Sequence, residues 1–233
     1  MSKYFITFAA GSQNYYDAGN RLLNQANNLN LFDKTILYTD NDLKNDKEFW
    51  NKHGTFIEQN NRGYGYWLWK SYIIKKTMES MKDGDILLYL DCGCEIDIRK
   101  KEQINKYFQI VKNDYIIGSR VCIEKDWTKM DLILKLDMLN EKYLSSSQHQ
   151  AGCVLYFVCD QTRELVNNWY EIGSDYHNID DSPSINKNLI GFREHRHDQS
   201  IFSLLTKKYN LFSNHSLTTC IEYSRNRSGK SLI

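Results

Sequence analysis

The sequence predicts an α/β fold, a three-layer sandwich around a mainly parallel central sheet. Three observations predict it. Strand and helix signals alternate along the 233 residues. An apolar run, Leu87-Leu88-Tyr89-Leu90, stops abruptly at Asp91, as a buried strand does at the edge of an open sheet. A single proline, Pro183, and the absence of any low-complexity stretch leave no linker, so residues 1–233 are expected to form one domain.

Each element has its own signal. Tyr4–Ala9 reads as the first strand, followed by a Gly11-Ser12 turn. Asn20–Leu31 carries Leu22, Leu23, Ala26 and Leu29 at helical spacing. Thr35–Thr39 follows as a strand, Asn41–His53 as a helix and Thr55–Glu58 as a short strand. The aromatic-rich stretch Tyr66–Met81 reads as a helix that ends near Gly84, just before the Asp91 strand. Glu102–Val111 is helical, Tyr115–Gly118 extended and Trp127–Tyr143 mostly helical. Cys153–Cys159 then reads as a strand and Gln161–Ile172 as a helix. Ser174–Leu189, which holds the proline, reads as a loop and Asp198–Tyr209 as a helix. The tail from Leu217 gives mixed signals and ends basic.

Composition excludes several function classes. A net charge of +1 argues against bulk nucleic-acid binding. No apolar run approaches the roughly 20 residues of a membrane span. The first eight residues are too short for a signal peptide. The six cysteines contain no CxxC pair and read as reduced thiols, so a cytoplasmic protein is expected.

Four stretches can carry chemistry. In Asp91-Cys92-Gly93-Cys94-Glu95, a strand-end carboxylate beside a glycine suits a divalent metal holding a diphosphate; a polar strand end closed by a turn is the bland alternative. In Gly63-Tyr64-Gly65-Tyr66-Trp67-Leu68-Trp69-Lys70, flat aromatic faces can stack on sugars or bases and Lys70 can neutralise a phosphate. Core filling by Trp67 and Trp69 reads equally well. In His195-Arg196-His197-Asp198, the imidazoles can ligate metal or carry protons, and Asp198 can act as a general base or as the cap of the following helix. The polar segment Gln148–Gly152 and the basic tail Arg225–Lys230 can bind hydroxyls and a diphosphate, or be an ordinary loop and terminus.

Together these stretches resemble glycosyltransferases of the GT-A fold, in a small family with a D-x-G-C form of the D-x-D motif. Thr7–Gly11, Arg62–Lys70, Gly84–Ile96, Gln150-Ala151-Gly152 and His195–Ser200 carry the resemblance in order, over most of the chain. It implies a nucleotide-sugar donor, a UDP-sugar first among these, a hydroxyl-bearing glycan or protein acceptor, and a divalent Mn²⁺ or Mg²⁺. It implies donor binding by Ala9, Gly11, Arg62, Tyr66, Trp69, Lys70, Gln150, Gly152 and Arg225, with metal at Asp91, His195 and His197. Asp198 is the expected catalytic base. Two departures stand out: Gly93 replaces the second aspartate of D-x-D, and Ser71 stands where a proline is expected. An inactive sugar-binding module of the same fold is one alternative. A nucleotidyltransferase is another, disfavoured because Ala10–Tyr15 has one glycine and no cation.

Overall fold

The computed structural model describes residues 1–233. In chain order the first half has β1 (Lys3–Ala9), α1 (Gln13–Asn28), β2 (Lys34–Thr39), α2 (Asp40–Asn45), α3 (Lys47–Gln59), a single turn α4 (Gly63–Tyr66) and α5 (Leu68–Glu79). It continues through β3 (Ile86–Leu90), β4 (Glu95–Ile96), α6 (Lys101–Asp114), β5 (Ile116–Gly118) and β6 (Arg120–Ile123). The remainder is α7 (Met130–Lys135), α8 (Glu141–Leu144), β7 (Ser147–His149), β8 (Cys153–Phe157), α9 (Asp160–Ser174), α10 (His197–Tyr209), β9 (Phe212–Ser216) and β10 (Ile221–Glu222).

Six strands form the central sheet in the order β2-β1-β3-β8-β5-β9. All run parallel except β8, which is antiparallel to both β3 and β5. The expected α/β sandwich with a mainly parallel sheet is therefore what the chain forms. The pleat of β3 divides its side chains between two cores. Ile86, Leu88 and Leu90 face α1 and α6, where they meet Leu22, Ile104 and Phe108. Leu87 and Tyr89 face α5, α9 and α10, where they meet Ile73, Trp169 and Phe202. A strand covered on both faces has no polar side to show, which is why it reads as an unbroken apolar run.

Several elements depart from expectation. The Thr55–Glu58 strand does not exist; α3 runs through it, burying Phe49, His53 and Ile57 at four-residue spacing. The expected helix Asn41–His53 is broken at Asp46, whose extended backbone ends α2 and whose carboxylate caps α3 at Phe49 N. Helix α1 starts seven residues earlier than expected, because its first five residues, Gln13–Asp17, bury no side chain and so give no core-facing signal. Trp127–Tyr143 is two short helices, with Asp137 in the left-handed region between them. The tail is ordered into β9, beside β5, and β10, which pairs with β4.

This topology gathers distant segments at one edge. β1 and β3 are parallel, so Ala9 and Asp91 emerge on the same side. Because β8 is reversed, its start meets the end of β3, with Leu90 opposite Cys153. Gly152 N-terminal to β8 therefore lies against Asp91, and the Asp91 N–H donates to the Gly152 carbonyl at 2.7 Å. The β10–β4 pair draws the tail to the same edge.

Candidate active site

A buried lysine lies at the centre of the site. Lys70, in the first turn of α5, is almost wholly buried, with Nζ 3.2 Å from Asp91 Oδ1 and 2.9 Å from Asp198 Oδ2. Burial alone would lower its pKa, but the two carboxylates outweigh burial and hold it above the ordinary lysine value. The Tyr89 hydroxyl donates to Asp91 Oδ1 at 2.5 Å. Tyr89 and Asp91 are two residues apart, and the period of a strand puts both on one face. Asp91 remains 41% exposed and opens this buried cluster to solvent. Gly152 is required beside it: a β-carbon there would lie 2.4 Å from Asp91 Oδ2.

Asp198 sits in the first turn of α10, with its carboxylate buried. The helix starts at His197, so Asp198 is not its cap, and no side chain caps that end. Burial raises the Asp198 pKa to about 6, against the opposing pull of Lys70. Around it, Trp169 Nε1 donates to the Asp198 carbonyl at 2.9 Å. Gln199 donates to Gln148 at 2.6 Å, and Gln148 donates to the buried Glu124 at 2.9 Å.

The aromatic segment before α5 is unusual. Gly63, Tyr64, Gly65, Tyr66 and Trp67 all have positive φ, between 52° and 83°. This is one left-handed turn, which costs roughly 1–2 kcal/mol for each non-glycine residue. Gly63 permits it and also makes room, since a β-carbon there would enter the Trp67 indole. Trp69 is nearly buried: its ring stacks on Phe8 at 3.8 Å and its Nε1 donates to the Gly63 carbonyl at 2.9 Å. The expected role of Trp69 as an open stacking face is thus corrected: it fills the core. Trp67 and Tyr66 pack on the His197 ring.

The other expected residues fall in four places. Ala9 and Gly11 end β1 at the site edge, Gly11 with a φ of 89°. Gln150 is tied to Ser119, whose hydroxyl donates to Gln150 Oε1 at 2.7 Å. Arg62 lies on the rim, exposed, and pairs with Asp181 at 2.9 Å and Glu194 at 3.6 Å. Arg225 lies in the tail where its backbone crosses Gly93, and Asn226 N donates to the Gly93 carbonyl at 2.9 Å.

The expected metal ligands do not assemble. No three His, Cys, Asp or Glu side chains converge on a point that could hold an ion. His195 accepts from Lys129 N at Nδ1 (3.3 Å) and donates from Nε2 to the Asn178 carbonyl (2.8 Å), so it has no free lone pair. Burial lowers its pKa to about 3. His197 donates from Nδ1 to the Ile179 carbonyl at 2.8 Å, and its Nε2 faces Asp181 at 3.7 Å. Both ring nitrogens of His195 are thus engaged, His197 keeps Nε2 without a hydrogen-bond partner, and Asp91 has one carboxylate oxygen engaged. A divalent cation held here would rest on the one free oxygen of Asp91 and on the phosphates of its ligand.

Sequence reasoning missed the partners that hold the edge together. Arg21 bridges the Cys92, Cys94 and Asn226 carbonyls (2.9, 3.1 and 3.1 Å) and pairs with the buried Glu95 at 3.2 Å. Glu95 also accepts from Ser231 (2.6 Å), Asn226 (3.0 Å) and Leu232 N (3.0 Å). Although burial opposes it, these donors and Arg21 pull the Glu95 pKa down to about 2. Nothing in the sequence linked Arg21, Glu95 and the tail, which lie far apart along the chain. Tyr89 was detectable, as the one polar-tipped side chain two residues before Asp91.

The fold, helices packed on both faces of a mainly parallel six-stranded sheet, is of the GT-A type. No family model matches the sequence, and no curated protein matches it. Among solved structures, mouse xyloside xylosyltransferase 1 in its apo form superposes with a TM-score of 0.50, over 93% of this chain and 86% of that one, at 12% identity. That likeness shows the fold. No helix is long and apolar enough to cross a membrane.

Proposed function

We propose that the chain transfers a glycosyl group from a nucleoside-diphosphate sugar to a hydroxyl acceptor. The observation that carries this reading is the buried Asp91–Lys70–Asp198 bridge at the carboxyl edge of a GT-A-type sheet. In the reaction the acceptor oxygen attacks the anomeric carbon. The bond from that carbon to the diphosphate oxygen breaks, and its electron pair leaves with the diphosphate. The acceptor proton passes to the Asp198 carboxylate. A base with a pKa near 6 is ionised at neutral pH and is still basic enough to take a proton. Lys70 supplies positive charge on the side where the leaving group departs. In this reading Gly152, packed against Asp91, and Gln150, two residues before it, contact the donor.

The test is a product assay. The purified protein would be incubated with UDP-, GDP- and ADP-sugars and a set of oligosaccharide and peptide acceptors, with nucleoside diphosphate release and glycosylated product both measured. Diphosphate release from one donor class, lost in Asp198→Asn, is the expected result. No release from any donor, with no thermal stabilisation by any nucleoside diphosphate, would overturn the reading.

A further inference from the structure

We infer that this site neutralises the donor diphosphate with cations of its own chain, Lys70 and the tail arginines Arg225 and Arg227, and works without a divalent metal. The inference rests on the glycosyl-transfer reading above. Its starting point is the packing at Gly93. A β-carbon at this position would lie 3.2 Å from the Arg225 Cα and 3.4 Å from its carbonyl carbon. A side chain at this position would press on the tail backbone, which would have to give by a few tenths of an ångström. The tail is held there by Glu95, through Asn226, Ser231 and Leu232, and by Arg21 on the Asn226 carbonyl.

The neighbouring carbonyl and carboxylate oxygens are engaged, and Asp91 keeps only Oδ2 open. Its Oδ1 takes the Tyr89 hydroxyl and the Lys70 ammonium. The Cys92 and Cys94 carbonyls accept from Arg21, and the Glu95 carboxylate serves Arg21 and the tail. The Asp198 carboxylate lies 2.9 Å from the Lys70 ammonium, so a dication bridging the two carboxylates would have to displace a buried cation.

Charge counting gives the alternative. Lys70, Asp91 and Asp198 together carry a net charge of −1 when ionised, which repels a diphosphate. Arg225 and Arg227, exposed in the segment that crosses Gly93, turn the edge to +1. The Arg227 guanidinium lies 5.1 Å over the ring of Tyr15, in the first turn of α1. Guanidinium groups suit a diphosphate because they donate in a planar fork. The tail thus fills the place of the missing carboxylate and brings the positive charge that a metal would otherwise supply.

The experiment measures binding of UDP, GDP and ADP to the full chain by calorimetry, in EDTA and again in Mn²⁺. Donor turnover is measured under both conditions. Equal affinity and turnover in EDTA and Mn²⁺, with at least a tenfold loss of diphosphate affinity in Arg225→Ala/Arg227→Ala at an unchanged melting temperature, is the expected result. Binding or turnover that needs Mn²⁺ would overturn the inference and leave glycosyl transfer standing. Metal-free binding that survives loss of both arginines would also overturn it. Absence of both binding and turnover under every condition would overturn the inference together with the proposed function.

Discussion

At the residue scale, Asp198 and Lys70 meet in a pocket where neither is well hydrated. Raising the Asp198 pKa from 3.8 to about 6 corresponds to roughly 3 kcal/mol against its ionised form in the fold. The sign follows from proton linkage. A carboxyl whose folded pKa is raised favours folding below its unfolded value, and that contribution is lost as pH rises through about 6. Relative to Asp198→Asn, the native protein should therefore lose about 3 kcal/mol of stability between pH 4 and pH 7, measured by urea unfolding across that range. Activity should move the other way. With Asp198 as base, turnover should fall about tenfold per pH unit below pH 6, and Asp198→Asn should lower turnover by roughly a hundredfold or more. A flat acid limb in the native enzyme would argue for another base. Lys70 is the stronger structural requirement, since its removal would leave two carboxylates facing each other without a cation, a loss of about 3–5 kcal/mol on the usual scale.

At the element scale, the junction of β3 with β8 sets the position of Asp91. The Asp91 N–H bonds to the Gly152 carbonyl, and the bare Cα of Gly152 leaves room for the carboxylate. Gly152→Ala would place a methyl group 2.4 Å from Asp91 Oδ2 and push the carboxylate away from Lys70. We expect turnover to fall at least tenfold while melting drops by only a few degrees, checked by kinetics and calorimetry side by side. An equal loss in both would show that the glycine serves packing alone. This junction was only half legible in the sequence. The apolar run ending at Asp91 marked the strand and the edge. The reversal of β8 left no trace, because a strand buried on both faces reads alike in either direction. The Thr55–Glu58 error has a related cause: a four-residue apolar-polar stretch fits both periods, and only the cap at Asp46 and the buried Phe49, His53 and Ile57 decide it. Lys70, Asp91 and Asp198 could be selected as residue types at strand and helix ends. That Lys70 joins the other two could not, because the bridge depends on how α5 and α10 pack over the sheet.

At the scale of the whole molecule, one sheet separates two apolar cores, one over α1 and α6, the other over α3, α5, α9 and α10. Both cores draw on β1, β3, β5 and β8, so neither can be exposed without disrupting the other. We expect thermal unfolding to show a single transition, with calorimetric and van't Hoff enthalpies in agreement. Two resolved transitions would mean that the two faces melt separately.

The reversed β8 also bears on how the protein reaches its native state. β8 lies between β3 and β5, and β9, more than 90 residues beyond β5 in the chain, completes the far edge. Strand pairs so distant in sequence close large loops before they gain contacts, and such topologies fold slowly. Asp91, Gly152 and Asp198 come from segments on both sides of that late closure. The ability to bind a nucleotide should consequently return with the last phase of refolding rather than with early collapse. A fluorescent nucleotide and intrinsic tryptophan emission, followed together after dilution from denaturant, would then report two separate times from one molecule.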